Sequence, residues 1–291
     1  MLETSKLFDV GNIQQAKEIY MDVCELLEAR SLKKEELPLN FIPPVSAMIN
    51  GLTRGELVVV GARPSNGKSI FCLQVGLSLA LAGAKVHFCS LEMNKITCGE
   101  RLISNLAKVN TIDLQTGKAL ALYKSNPVNA ITLGYNHLVD ANFTFSDAIG
   151  FTWEEIETLC EGMKNIDVLI IDYIQMISAQ DRLKKETIDE YIKKLRVMAQ
   201  KKKICVVLAS QINRAGATAA MPQMHELKQT GCLEEVADKV FLLHYNYFYT
   251  KDINELNKYE IILEKNRQGR TFKHECKICP EFSLIKTGGI I

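Results

Sequence analysis

The sequence predicts an α/β fold, with a mostly parallel central sheet flanked by helices, antiparallel hairpins at the C-terminal end and a helix ahead of the sheet. Three observations predict it. Short, β-branched, continuously apolar runs alternate with stretches of helical periodicity, the pattern of strands buried on both faces. The stretch Glu56-Leu-Val-Val-Val-Gly-Ala-Arg-Pro-Ser-Asn-Gly-Lys-Ser69 places an apolar run, a loop of turn formers and an apolar helical segment in direct succession. Beyond Lys239 the strand-like runs are too closely spaced for crossover helices, so hairpins must join them.

Taken in order, residues 12–30 carry Ile13, Ala16, Ile19, Tyr20, Val23, Leu26 and Leu27 at helical spacing. A helix this short with one apolar face needs a surface to dock on, either its own domain or a neighbouring subunit. Residues 31–50 are charged and then contain Pro38, Pro43 and Pro44, which reads as a linker. The expected division is therefore 1–44, helix and connecting segment, and 45–291, the α/β domain. Within the latter, strands are expected at Leu57–Val60, Lys85–Ser90, Val168–Ile171 and Cys205–Ala209, with helices at Ile70–Ala82, Lys95–Ala107, Trp153–Lys164 and Glu186–Lys202. Residues 108–165 are otherwise irregular. Lys239–Tyr245, Tyr259–Glu264, Thr271–Lys277 and Phe282–Ile285 supply the terminal strands.

Composition narrows the classes. The chain has 291 residues, 47% hydrophobic and 24% charged, enough to bury a large core. A net charge of +1 neither favours nor excludes nucleic acid, because a basic strip can be balanced elsewhere. No apolar run is long enough to span a bilayer, and the first residues do not resemble a secretory signal. Nine cysteines lie scattered through apolar strands and helices, the usage of reduced thiols in a cytoplasmic protein.

The chemistry sits at predicted strand ends. After Leu57–Val60, the backbone N–H groups of Ser65, Asn66 and Gly67 are expected to form a nest at a helix N-terminus, which favours an anion. Lys68 would bring a point charge to β- and γ-phosphates, and Ser69 a hydroxyl to Mg²⁺. The first glycine of the usual phosphate-loop pattern is replaced by Ala62. Strand Val168–Ile171 runs into Asp172, a carboxylate placed to share that Mg²⁺. Lys85–Ser90 leads to Glu92, placed to orient or deprotonate a water. Cys205–Ala209 leads to Gln211, placed to sense a γ-phosphate. Nine Lys/Arg between Arg182 and Lys203 are interleaved with acids and read as a solvated helix face. His274, Cys276 and Cys279 lack a fourth ligand at zinc-like spacing. Tyr245, Tyr247, Phe248 and Tyr249 read as packing or as a contact to adenine or ribose.

Six blocks occur in one order: Ala62-Arg-Pro-Ser-Asn-Gly-Lys-Ser69, Ser90-Leu-Glu-Met93, Ile170-Ile-Asp-Tyr-Ile-Gln-Met176, Ser210-Gln-Ile-Asn-Arg214, Leu227-Lys-Gln-Thr-Gly231 with Val236-Ala-Asp238, and Lys265-Asn-Arg-Gln-Gly269. Together they resemble the RecA-like P-loop motor domain of the DnaB family of replicative helicases, over roughly residues 45–287. The resemblance implies ATP and Mg²⁺ held by Arg63, Pro64, Ser65, Asn66, Gly67, Lys68, Ser69 and Asp172. It implies Glu92 as the water-activating carboxylate and Gln211 as the sensor. It makes Lys265 and Arg267 a pair reaching ATP on the adjacent subunit of a hexamer. From the residues alone that pair could equally be solvated beside a hairpin turn. Lys228, Gln229 and Gly231 would track single-stranded DNA through backbone and charge contacts without reading bases, where Lys-Gln stands for the family's common Arg-Glu.

Bacterial members carry a separate helical domain ahead of the motor, whereas residues 1–44 precede it here. That leads us to expect either an excised motor or a short phage- or plasmid-encoded protein, with weaker ring assembly and primase or loader contacts in doubt. The expected activity is ATP-driven translocation on single-stranded DNA with 5′→3′ unwinding. The alternatives are a RecA/KaiC-like ATPase, or an ATP-binding loader or adaptor without unwinding.

Overall fold

Among the described residues, nine strands form the central sheet. In chain order they are β1 (Leu57–Ala62), β2 (Val86–Ser90), β3 (Phe143–Asp147), β4 (Val168–Asp172), β5 (Cys205–Gln211), β6 (Lys239–His244), β7 (Lys258–Asn266), β8 (Phe272–Cys279) and β9 (Leu284–Lys286). They lie side by side as β9-β8-β7-β6-β1-β5-β4-β2-β3. From β3 across to β6 every pairing is parallel, and β7, β8 and β9 add antiparallel pairs. The computed structural model describes residues 36–119, 130–177, 185–212, 220–227 and 230–288. The chain divides into two compact units, 1–36 and 37–291, and of the described residues only Glu36 belongs to the first. The helix predicted within residues 12–30 lies outside the described residues.

Strand alternation explains the two cores. Leu57 and Val59 of β1 point to one face, and Val58 and Val60 to the other. In chain order the helices that cover them are α1 (Pro43–Ile49), α2 (Lys68–Leu81), α3 (Lys95–Ala107), α4 (Trp153–Gly162), α5 (Lys185–Lys202) and α6 (Thr230–Val236). Residues of α1, α2 and α3 pack with Val58 and Val60, while residues of α4, α5 and α6 pack with Leu57 and Val59. Helix α2 is buried continuously from Phe71 to Ala80, as its apolar composition on all sides requires.

Three features depart from the expectations. The compact unit begins at Leu37, ahead of the boundary expected at residue 45. Leu37, Leu39 and Ile42 are core residues, and Pro43 and Pro44 open α1, where a missing N–H removes no helical hydrogen bond. Strand β3 lies in the stretch read as irregular. Its Phe-Thr-Phe-Ser-Asp sequence alternates and is only half-buried, as suits a sheet edge. It is held by Phe88–Phe145 stacking at 5.7 Å and by His87 between the Thr144 and Ser146 hydroxyls. The last strand is Leu284–Lys286, because Pro280–Phe282 forms a 3₁₀ turn.

Candidate functional site

The loop after β1 turns through Ser65 (φ 63°) and Gly67 (φ 76°) before α2 begins at Lys68. Two left-handed residues this close together are the backbone pattern found in anion nests. Gly67 is required twice over, for its backbone angle and because a Cβ there would stand 3.0 Å from the Tyr259 hydroxyl.

Register then brings the other strand ends alongside. Ser90 is paired with Asp172, and Ala62 with Gln211. A cleft of about 490 Å³ is lined by Arg63, Pro64, Ser65, Gly67, Lys68, Ser69, Glu92 and Gln211, joined by Ile70, Met93, Arg101 and Tyr173. Asp172 lies beneath it, fully buried, with Oδ1 2.7 Å from the Lys68 ammonium. The same ammonium stands 3.8 Å from the centre of the Tyr173 ring. Burial, then Glu92 and Asp172, raises the Tyr173 phenol above its ordinary value, so three acidic groups share this corner. The Cys72 thiol behind Lys68 is pushed up by burial first and then by Asp172.

The donor set fits Mg²⁺ carried by a nucleotide. Asp172 Oδ2 is buried without a hydrogen-bond partner, and Ser69 lines the cleft above. Among the described residues no group of three or more His, Cys, Asp and Glu could hold a metal on its own. One carboxylate, one hydroxyl and phosphate oxygens are the set Mg²⁺ accepts. The same absence goes with His274, Cys276 and Cys279, whose two thiols are buried.

Two expected phosphate ligands have other partners. The Asn66 amide donates to the Arg63 carbonyl (3.2 Å). Its side chain donates to Pro64 O and Tyr249 Oη and accepts from the Tyr245 amide, at 2.9–3.0 Å. Asn66 therefore fastens the loop to the end of β6 and does not face the cleft. Tyr245 and Tyr249 of the aromatic cluster act in that packing. The Arg63 guanidinium donates to both oxygens of Glu226 at 3.1 Å and to Ala220 O at 2.7 Å.

Lys265 and Arg267 lie at the other end of the sheet. Strand β7 runs antiparallel to β6, with Lys239 opposite Asn266 and His244 opposite Glu260. The pair is thus at the start of β6, a strand length of roughly 20 Å from the cleft end. Lys265 donates to Glu234 O, and Arg267 to Glu235 O, both carbonyls at the C-terminal turn of α6. Burial and then the Arg267 charge lower the Lys265 ammonium. The Arg267 side chain is 45% exposed. Gly231 is exposed on α6, while Lys228 and Gln229 lie outside the described residues.

Sequence reasoning missed Arg101, Tyr173 and Glu226. The first two had a signal: Arg101 lies on the helix that follows Glu92, and Tyr173 follows Asp172. Glu226 had none, since its partner is 163 residues away.

The model of the family described as "DnaB-like helicase C terminal domain" matches residues 42–286. The "Replicative DNA helicase DnaB" of Geobacillus stearothermophilus is 27% identical over 281 residues, 92% of this chain and 61% of its own length. A "Probable plasmid replicative DNA helicase" of Chlamydia psittaci is 32% identical over 228 residues, 76% of this chain and 49% of its own. The chain thus spans about three-fifths or less of these relatives. A separately solved ATPase domain superposes with a TM-score of 0.82 at 22% identity, covering 96% of this chain and all of that one. A DnaB-like replicative helicase, solved with its interactions with primase, gives 0.77 at 20% identity, covering 96% of this chain and 68% of that one. These two likenesses establish the shared fold.

Proposed function

Because the chain belongs to the DnaB-like helicase C-terminal domain family, we propose that it is the ATP-driven motor of a replicative helicase, moving 5′→3′ on single-stranded DNA as a ring hexamer. The observation that carries this reading is the separation of the nucleotide cleft from Lys265 and Arg267 by the length of the sheet. Within one copy Arg267 has no path to the cleft, so a role in hydrolysis requires the cleft of another copy. Its exposure is compatible with that role.

In this reaction the loop amides and Lys68 hold the phosphates, and Glu92 takes a proton from the attacking water. Ser69 and Asp172 would hold the Mg²⁺, which supplies positive charge to the phosphate oxygens. Gln211 hydrogen-bonds the terminal phosphate, and Arg267 from the next copy offsets charge as the bond breaks. Lys228, Gln229 and Gly231 carry the DNA contact. Primase or a helicase loader belongs to the same proposal, as does a bacterial or phage cytoplasmic setting. Among the described residues no helix is long and apolar enough to cross a membrane.

The test is ATPase activity against protein concentration, with and without single-stranded DNA, for wild type, Arg267→Ala and Lys68→Ala. Turnover should rise with both variables, and each variant alone should be inactive. Mixing the two variants should restore part of the activity, since some interfaces then join an intact cleft to an intact Arg267. No recovery from folded, co-assembled subunits rejects a shared site.

A further inference from the structure

The end of β7 is turned by one extra residue. Opposite β6, Phe241 pairs with Leu263 and Val240 with Lys265, so Glu264 has no partner position of its own. Such a bulge sends the side chains beyond it to the other face of the sheet. Phe241 and Leu263 belong to the core that packs with α2, whereas Val240 belongs to the core that packs with α6. Lys265, opposite Val240, therefore stands on the α6 face. With unbroken alternation it would have shared the α2 face with Leu263. The bulge thus explains how Lys265 and Arg267 reach the last carbonyls of α6.

Asp238, between α6 and β6, meets the returning chain. Its carbonyl accepts the Arg267 amide at 2.9 Å, and its Oδ1 stands 3.6 Å from the Arg267 guanidinium. Asp238 is 6% exposed and fixed on every other side. Its Oδ2 accepts the Leu57 amide at 2.8 Å, and its own amide donates to Leu57 O at 2.8 Å. Arg196 of α5 engages both carboxylate oxygens, at 2.5 and 2.9 Å. Most of the Asp238 charge is therefore spent on Arg196, and Arg267 is held at longer range. A close bidentate partner would compete with phosphate for the Arg267 guanidinium. No partner at all would leave its long side chain spread over many rotamers. The contact at 3.6 Å lies between these limits.

We infer that Asp238 is a positioning residue, which keeps Arg267 in the orientation it needs to serve the cleft of another copy. It touches neither nucleotide nor water and acts only through Arg267. The inference rests on the reading of Arg267 as a group shared between copies.

The experiment is ATPase activity of Asp238→Asn, alone and in equimolar mixtures with Lys68→Ala or with Arg267→Ala. Asparagine keeps an acceptor for the Leu57 amide and removes the charge. Alone, turnover should fall about 10²-fold, the usual cost of misplacing a reacting group by about 1 Å. Mixed with Lys68→Ala, activity should recover by about 10-fold or more, because correctly held Arg267 then faces intact clefts. Mixed with Arg267→Ala it should not recover, since neither copy offers a well-placed guanidinium. A lesion in stability alone has no such preference between partners. Wild-type turnover by Asp238→Asn overturns the inference. So does recovery with Arg267→Ala, which would show the Arg267 of Asp238→Asn serving a cleft normally. Recovery with neither, from folded and co-assembled subunits, overturns it as well. In the parallel control, failure of Lys68→Ala to complement Arg267→Ala rejects the shared site itself, and the inference with it. Should Asp238→Asn not fold, the double variant Asp238→Asn/Arg196→Gln leaves no buried guanidinium unpaired. It must show the same preference for Lys68→Ala, and its absence there is equally fatal.

Discussion

Lys68 and Asp172 form a charge pair at the floor of the cleft, one oxygen of Asp172 engaged and the other without a partner. A buried pair is weak support for stability, but removing one member leaves an uncompensated charge and costs roughly 3–5 kcal/mol. Lys68→Met should therefore destabilise the protein by about that amount in urea unfolding. Adding Asp172→Asn should recover much of the loss, a non-additivity that two independent sites would not show. Glu92→Gln makes the contrasting case. Its side chain is exposed, so stability should be unchanged while turnover falls by about 10²-fold or more. A variant with normal turnover would remove Glu92 from the reaction.

Between residues and the sheet lie the contacts that hold single elements in place. Strand β9 has three residues, and Gln74 of α2 grips it by accepting from the Ile285 amide (2.8 Å) and donating to its carbonyl (2.6 Å). Both Ile285 groups are buried, so Gln74→Leu should cost about 1–3 kcal/mol for each group left unpaired. Hydrogen exchange should rise first at residues 284–286. Edge strand β3 carries a pH response. Burial lowers His87 from 6.5 to about 4. Its depressed folded value means that protons bind the unfolded chain first. Stability from this site is thus complete above pH 6.5 and declines as pH falls toward 4. Urea unfolding of wild type and His87→Asn between pH 7 and 4 should show a steeper loss for wild type. Parallel curves would contradict the assignment.

For the molecule as a whole, the strands of the sheet separate the cleft from Lys265 and Arg267. Parallel strands collect the cleft at their carboxyl ends, as open α/β sheets do. The antiparallel return of β7 delivers Lys265 and Arg267 to the opposite end of the strands. Single-site hydrolysis by an isolated copy is therefore expected to be slow. ATPase per subunit should climb with concentration and saturate as copies associate, and Arg267→Ala should abolish the climb. A flat rate would mean that one copy suffices.

The sequence alone determined the strand–loop–helix at residues 56–82 and the polar groups closing three strands, because each is a local pattern within a few residues. It also determined the helical spans of α2, α3 and α5 to within a few residues. It could not show that Asn66 turns away to bind Tyr249, or that Arg63 is taken by Glu226. It left β3 unread because half-buried edge strands lack a continuous apolar run. Only the tertiary structure decided these points, together with the distance between Arg267 and its own cleft. The Asn66 and Arg63 contacts join partners more than a hundred residues apart, and β3 and the place of Arg267 depend on strand register. Such pairings follow from how the whole sheet closes, and no short window of residues contains that information.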